Sequence, residues 1–313
     1  MIMEPIVPFE PISTNEVPTG ANWVGQVKWD GVRVLTYFTD NKTLLFNRKR
    51  NERTNHYPEL INSRDYCSAK SAILDGEIIA FTNNKPSFYE VMRRDGIKSF
   101  SKMASTINEV PITYMIFDIL FFDGKWVTTS SLEERQNLLT QIISPNNHVQ
   151  LVDNFTETVS LYDVVVNNDL EGVVYKDLSS TYIINGKDQR WRKKKKINDL
   201  IAVVGGVTYR DTIVNSLLLG LYDQLGQLWY IGSVGSGTLT NKDWRNLTDG
   251  IKPIIQDKIP FKNRPPKARE VTWITPILTV KVNYLEWIDG HNLRQPSIQA
   301  FVTVPPSSCV FTQ

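Results

Sequence analysis

A lysine set among strand-forming residues is the first candidate for chemistry in this 313-residue chain. The segment QVKWDGVRV, residues 26–34, places Lys28 two positions before the turn dipeptide Asp30-Gly31. A lysine amine must be neutral to act as a nucleophile, and the ordinary lysine pKa of about 10.4 opposes this at neutral pH. A cleft that buries a lysine, or that holds other cations, lowers such a pKa. Taken alone, the segment also fits a surface lysine on a strand before a turn.

A series of short charged motifs runs along the chain from Lys28. In order, they are KWDGVR ending at Arg33, FNRKRNE around Arg48, LDGE ending at Glu77, FDILFFDG from Phe117, EGVVYK from Glu171 to Lys176, and WRKKK from Trp191 to Lys195. The series covers about residues 26–195 and resembles the motifs of the covalent nucleotidyltransferases, which are ATP-dependent DNA ligases, RNA ligases and mRNA capping enzymes. The W-x-K-x-K and F-D-I-L-x-x-D-G forms look most like DNA ligases. The segment YLEWIDGHNLRQPS, residues 284–297, resembles the end of a bacterial end-joining ligase.

The resemblance implies a three-step reaction on nicked duplex DNA, with ATP and Mg²⁺ as cofactors. The motif lysine, here Lys28, attacks the α-phosphate of ATP and expels pyrophosphate, which leaves a lysine–AMP bond. The AMP then moves to the 5′-phosphate at a nick, and the 3′-hydroxyl displaces it. Displacement at phosphorus depends on positioning and charge neutralisation, so arginine, lysine and metal-binding carboxylates are expected around Lys28.

By the same resemblance, two arginines and two other side chains would hold the nucleoside. Arg33 and Arg48 would contact ribose and phosphate, as planar guanidinium groups do well. Phe117 would stack on adenine, although a phenylalanine in YMIFDILFF also fits a core position. Gln26 stands two residues before the lysine, where the family often has Glu, and its side chain or backbone would accept a bond from the adenine amino group.

The remaining candidates are charged and would face phosphates or the metal ion. Lys176 and Lys193 would neutralise the α-phosphate, and Lys195 would be a further phosphate contact. Glu77 would contact the ribose or the metal, and Glu171 the metal.

The basic run RWRKKKK, residues 190–196, is the candidate DNA-binding segment. The net charge of the whole chain is only +2, so any affinity for nucleic acid must come from local clusters. Arg190, Arg192, Lys194 and Lys196 would contact the DNA backbone, which gives binding that depends on salt and not on base sequence. A solvated charge run or a targeting signal is the alternative interpretation.

The composition indicates an intracellular protein outside the membrane. Cys67 and Cys309 provide neither a disulfide framework nor a four-cysteine zinc site, which fits a reducing cytosol. No apolar run approaches the ~18 residues of a membrane span, and the N-terminus lacks the features of a signal peptide. We expect a cytoplasmic monomer that is associated with the nucleoid when it is bound to DNA. The sequence does not indicate whether another protein recruits it to DNA. The NAD-dependent ligases carry an extra domain before the nucleophile, whereas 27 residues precede Lys28, which favours ATP.

The pattern of elements predicts an α+β fold with two domains. Strand-like runs over residues 26–47, 72–81 and 112–122, a helix from Ser131 and a helix from Val159 predict antiparallel sheets with flanking helices. We assign residues 1–198 to an N-terminal adenylation (nucleotidyltransferase) domain. Residues 199–313 contain strand-like runs at 200–209, 215–223, 226–235 and 277–287, with one helix-like segment at 242–255, which predicts an OB-fold barrel or else a sandwich.

The C-terminus departs from the family. After LRQPS the family continues into a short basic-acidic block that orients pyrophosphate, whereas this chain reads IQAFVTVPPSSCVF, with Val302 and Pro305 near the expected basic positions. Arg294 remains from the earlier part of that motif. The leading hypothesis is an ATP-dependent DNA ligase, and this departure predicts slow self-adenylylation. An RNA ligase or capping-type enzyme, or a non-catalytic nucleic-acid-binding relative, are the alternatives.

Overall fold

The computed structural model describes residues 4–39, 42–83, 85–235, 237–288 and 291–312. The chain divides into two compact units, residues 1–196 and 197–313. Among the helices of the described residues, none is both long and apolar enough to cross a membrane.

The first unit combines short and long strands with helices. Its strands are β1 (Glu10–Ser13), β2 (Trp23–Val27), β3 (Val32–Thr39), β4 (Lys42–Asn47), β5 (Ala72–Thr82), β6 (Lys85–Pro86), β7 (Ile112–Phe122), β8 (Lys125–Trp126), β9 (Val149–Leu151), β10 (Gly172–Asp177) and β11 (Lys187–Lys195). Its helices are α1 (Phe88–Asp95), α2 (Phe100–Glu109), α3 (Leu132–Ile142) and α4 (Thr158–Asn167).

Two sheets organise this unit. The larger has the order β4-β3-β5-β7-β8, with β6 added to β5 and β9 parallel to β7. Its central strands β5 and β7 are mostly buried, because runs such as ITYMIFDILFF carry apolar residues on both faces. The smaller sheet has the order β1-β11-β10-β2 and carries the lysine-rich motifs.

The two predicted helices are confirmed. At the start of α3, the Ser131 hydroxyl accepts a bond from the amide of Glu134, and the Glu134 carboxylate accepts one from the amide of Ser131. α4 covers the segment predicted from Val159. α1 and α2 were not predicted. α1 has only eight residues, too few to repeat the helical spacing of apolar residues over several turns, and Arg94 and Asp95 share its buried face with Val91.

Lys28, predicted among strand-forming residues before a turn, lies directly after the end of a strand. β2 ends at Val27 and pairs with β10 in the smaller sheet, whereas β3 pairs with β4 and β5 in the larger one. The Asp30-Gly31 dipeptide therefore links two sheets. A Cβ atom at Gly31 would overlap the carbonyl oxygen of Ile78, so this link needs glycine for a close approach of two backbones. Within the strand-like run predicted over residues 26–47, β3 and β4 pair in antiparallel fashion, while Asp40 and Asn41 lie outside the described residues.

The second unit is a curled, mostly antiparallel sheet with one helix in its described part. Its elements are β12 (Asn198–Arg210), β13 (Ile213–Tyr222), β14 (Leu228–Val234), α5 (Asn241–Gly250), β15 (Ile255–Gln256), β16 (Thr272–Tyr284), β17 (Trp287–Ile288), β18 (Asn292–Leu293) and β19 (Ser297–Val302). The strand order is β14-β13-β12-β16-β15, and β19 pairs with β16.

The predicted strands and helix of this unit coincide with β12, β13, β14, β16 and α5. β19 was missed, since only Ile298 of its six residues is buried and the run shows no alternation. The segment that departs from the family thus adds an edge strand to β16.

Candidate active site

Lys28 lies where the chain leaves the smaller sheet, directly after β2. Its amide donates to the carbonyl oxygen of Gly172 at 2.8 Å, and its Nζ lies 2.5 Å from Oε2 of Glu171. The other oxygen of Glu171, Oε1, lies 2.9 Å from Nζ of Lys195. The Lys28 side chain keeps 22% of its surface exposed and that of Glu171 only 6%. A buried carboxylate therefore holds two amines at a partly open site.

A glycine places this carboxylate. Gly172 has a φ of +153°, and a Cβ atom there would overlap the carbonyl oxygen of Lys194. The amide of Lys196 also donates to the carbonyl oxygen of Glu171 at 2.8 Å. The start of β10 is thereby pressed against β11, which brings the EGVVYK and WRKKK motifs together at Lys28.

Lys193 joins this cluster from β11. Burial, followed by the charges of Lys195 and Lys28, lowers the pKa of Lys193. Alternation along the strand turns Lys194 the other way, where its Nζ lies 4.1 Å from the centroid of the Tyr162 ring. Lys193 therefore lies near Lys28 and Lys195, the two amines that Glu171 holds, while Lys194 lies on the Tyr162 ring.

Lys176 is buried without a hydrogen-bond partner for its amine. The residue is 2% exposed, and Nζ lies 3.9 Å from the centroid of the Trp191 ring and 4.3 Å from that of Phe117. Burial lowers the pKa of Lys176 to about 7, although the charges of Asp118 and Asp75 act to raise it. An amine held only by aromatic faces is a ready receptor for an anion, which would provide the missing hydrogen bonds.

Glu77 and Arg33 face each other across β5 and β3. Burial and the charge of Glu171 raise the pKa of Glu77 to about 8, against the opposite effects of Lys28 and Arg33. The Arg33 guanidinium pairs with both oxygens of Asp75, at 2.9 and 2.6 Å, and donates to the carbonyl oxygen of Phe9. Most of the Arg33 donors are therefore used within the protein.

Phe117 is half-buried between cations, with the Arg33 guanidinium 5.3 Å from its ring centroid and Lys176 on the ring as well. Gln26 is 2% exposed, and its Nε2 donates to Oδ1 of Asn154 at 2.7 Å. The Phe117 carbonyl oxygen accepts a bond from Gln136. Of the two predicted base-binding residues, Phe117 is therefore partly accessible, whereas Gln26 is buried and held by Asn154.

The other predicted basic residues, four arginines and Lys196, have partners within the protein. Arg48 is 57% exposed and pairs with Glu10 at 3.1 Å. Arg190 pairs with Asp188, and Arg192 lies over the Trp23 ring at 4.7 Å. Lys196 follows the end of β11 and pairs with Asp169 at 2.7 Å. In the second unit, Arg294 pairs with Glu286 at 2.7 Å.

The carboxylates at Lys28 suit a divalent cation. Glu77 and Glu171 interact closely enough for one charge to raise the pKa of the other carboxyl, which is the situation that a bound cation relieves. The described residues contain no group of three or more acidic, histidine or cysteine side chains arranged for a metal. A cation held by these two carboxylates would complete its shell with water or phosphate oxygens, as Mg²⁺ does with nucleotides.

Sequence reasoning missed the residues that support the cluster. Asp75 is the partner of Arg33, Trp191 covers Lys176, and Tyr182 donates to Asp75 at 2.8 Å. Asp75 lies in the LDGE motif and Trp191 in the WRKKK motif, so the motifs could have indicated that both residues lie at the site. Asn154 and Gln136 stand in polar segments with no pattern and could not be found in this way.

Comparisons with known proteins match both units. Residues 9–195 match the family "ATP dependent DNA ligase domain", and residues 210–301 match "ATP dependent DNA ligase C terminal region". The chain therefore belongs to the ATP-dependent DNA ligases, which confirms the resemblance seen in its motifs and the fold class predicted from its pattern of elements. The second match ends at residue 301, immediately before Val302 of the divergent segment.

Individual relatives agree with this assignment. The multifunctional non-homologous end joining protein LigD of Mycolicibacterium smegmatis is 29% identical over 284 residues, which is 88% of this chain and 35% of LigD. A DNA ligase of Archaeoglobus fulgidus is 30% identical over 240 residues, 73% of this chain and 42% of that protein. The chain thus spans about a third of LigD. The crystal structure of the ligase domain of M. tuberculosis LigD is 25% identical, with a TM-score of 0.52, and the match covers 97% of this chain and 98% of that domain.

Proposed function

We propose that this chain seals nicks in duplex DNA with ATP, through a lysine–AMP intermediate at Lys28. The observation that carries the proposal is the cluster at Glu171, where one partly exposed amine is held 2.5 Å from a buried carboxylate with Lys193 and Lys195 beside it. A single nucleophile among cations suits attack on a polyphosphate.

In the first step the Lys28 amine loses a proton and attacks the α-phosphorus, and the bond to pyrophosphate breaks. Glu171 orients the amine and is the nearest acceptor for that proton. When bound by Glu77 and Glu171, Mg²⁺ supplies neutralisation of phosphate charge.

The site lysines would act on the reacting phosphate. Lys176 lacks a hydrogen-bond partner, so an α-phosphate oxygen would satisfy it while Phe117, on which it lies, stacks on adenine. Lys193 and Lys195 would neutralise the same group and its later partner, the 5′-phosphate of the nick. Arg33 is engaged by Asp75, and we propose that it orients the pocket and keeps its remaining edge for the ribose.

We further propose the first unit as the adenylation domain and the second as the OB-fold domain, with boundaries near residues 198 and 199. The substrate is nicked DNA and the active form a monomer, located with DNA in the cytoplasm. Arg48, Arg190, Arg192, Lys194 and Lys196 would contact the DNA backbone or the nucleotide by exchanging their present partners for phosphates.

The test is sealing of a nicked duplex with a labelled 5′-phosphate, in the presence of ATP and Mg²⁺. We expect sealing by the natural chain and none by Lys28→Ala or Lys28→Arg. The arginine variant keeps a cation opposite Glu171, so it separates the nucleophile from the ion pair. Sealing by either variant would overturn the proposal, and labelling by GTP in place of ATP would favour a capping-type enzyme.

A further inference from the structure

Three side-chain amides link the nucleophile strand to the half-buried Phe117. Gln26 Nε2 donates to Asn154 Oδ1 at 2.7 Å, Asn154 Nδ2 donates to Gln136 Oε1 at 3.3 Å, and Gln136 Nε2 donates to the carbonyl oxygen of Phe117 at 2.5 Å. We call Gln26, Asn154 and Gln136 the amide relay. We propose that the relay fixes which end of the Gln26 amide faces the nucleotide base, and thereby selects adenine over guanine. The inference rests on the proposed function.

The carbonyl oxygen of Phe117 decides which group of each amide in the relay donates and which accepts. A main-chain carbonyl oxygen only accepts hydrogen bonds, so the Gln136 atom at Phe117 must be its NH₂ group. The Gln136 oxygen is then left for Asn154, which must present its own NH₂ group. The Asn154 oxygen is left in turn for Gln26, which must also present its NH₂ group.

The consequence falls on the far end of the relay. Because Gln26 uses Nε2 on Asn154, its Oε1 remains to accept a bond from another donor. The 6-amino group of adenine is such a donor, whereas the 6-oxygen of guanine is an acceptor and would meet Oε1 lone pair to lone pair. A free glutamine could turn its amide over to suit either base. Gln26 is 2% exposed and tethered, so turning it would break the bond to Asn154.

Asn154 is therefore a positioning residue with a role in specificity. Asn154 is exposed, whereas Gln26 is buried in β2, which pairs with β10. Substitution of Asn154 should thus leave the fold intact and release the Gln26 amide.

The test compares equilibrium binding of ATP, GTP and purine riboside triphosphate, which lacks the 6-amino group, without Mg²⁺ so that no reaction follows. For the natural chain we expect ATP to bind about tenfold more tightly than the purine analogue, the value of one hydrogen bond at the upper end of its usual range. Asn154→Ala should keep most of that ratio, because a released Gln26 can still turn Oε1 to the amino group, and it should gain affinity for GTP relative to ATP. Asn154→Asp loses the donor to Gln136 Oε1 but keeps an acceptor for Gln26 Nε2, the bond that fixes the Gln26 amide, and it should keep the preference for ATP over GTP.

Gln150→Ala is the matched control, since it removes an exposed amide that bonds only to the carbonyl oxygen of Asn146. It should leave every ratio unchanged. An equal preference for ATP over GTP in Asn154→Ala and in the natural chain would overturn the relay. Labelling by ATP with Mg²⁺ is measured separately: ATP that binds but leaves no AMP on the natural chain would overturn the proposed function, while the binding ratios would still decide the relay.

Discussion

Lys176→Met should stabilise the protein at low pH while removing its activity. The Lys176 amine is buried, has no hydrogen-bond partner and lies between the Phe117 and Trp191 rings. Methionine is unbranched and of similar length, so it can fill the same space without a charge. The substitution therefore isolates the free energy of burying this ammonium group.

The magnitude follows from the pKa of Lys176, which burial lowers from 10.5 to about 7. That difference corresponds to about 5 kcal/mol against the charged form in the folded state. Cation–π interactions with the two aromatic faces stabilise a desolvated ammonium group by about 2 kcal/mol. We thus expect Lys176→Met to be more stable than the natural chain by about 3 to 5 kcal/mol at pH 6.

The pH dependence has a definite sign. Between pH 7 and pH 10.5 the unfolded chain keeps a proton on Lys176 that the folded chain has lost. The natural chain therefore gains stability as pH rises through this window, and Lys176→Met does not. The advantage of the variant should be complete below pH 7 and should shrink towards pH 10.5.

The assay is native-state hydrogen exchange of β10 amides at several pH values, which reports the opening of the sheet that carries Lys176. Lys194→Met is the control, because Lys194 lies on the Tyr162 ring of the opposite face. It should change stability by less than about 1 kcal/mol. A loss of stability in Lys176→Met at pH 6, or an advantage independent of pH, would refute the reasoning.

Three further predictions concern Gly172, the basic run and the divergent C-terminus. Gly172→Ala should destabilise the first unit by about 1 to 3 kcal/mol and slow the reaction with ATP, because a Cβ atom would overlap the backbone of β11. Chemical denaturation measures the stability and labelling kinetics measure the reaction rate. A stability and a rate equal to those of the natural chain would contradict the prediction. Replacing Lys194 and Lys196 by alanine should weaken nick binding and reduce its log–log salt slope by up to about two, whereas an unchanged slope would leave them as solvated surface charges. Nicks that already carry AMP should be sealed faster than plain nicks with ATP, since we expect the divergent C-terminus to lack charge neutralisation worth about 100- to 1000-fold in the rate of the first step. Single-turnover sealing of both substrates measures this. Self-adenylylation that is faster than sealing of the AMP-carrying nick would contradict the prediction.

Motifs in the sequence predicted the contents of the site better than its geometry. Lys28, Glu171 and Lys195 were selected from segments far apart in the chain, and the structure brings them into contact. The apolar runs of β5 and β7 were likewise visible, because a strand buried on both faces needs them.

Long-range pairing could not be predicted in the same way. Nothing in QVKWDGVRV indicates that Val27 pairs with Val173 while Val32 pairs with Ile78, so the sequence shows a turn at Asp30-Gly31 but not that it links two sheets. Partners such as Asn154 are single polar residues, and only the folded backbone brings them to Gln26. The burial of Lys176 depends on the same assembly.

The most direct test of the account is a chase of the isolated lysine–AMP adduct. The protein is first labelled with α-labelled ATP and Mg²⁺, freed of nucleotide, and then given nicked duplex DNA with Mg²⁺ alone. We predict a label on the peptide that contains Lys28, stable in base and released by acid as a phosphoramide is, and its transfer to the 5′-phosphate with about one sealed nick per adduct. A label on another residue, or an adduct that persists in the presence of nicked DNA, would contradict the central claim.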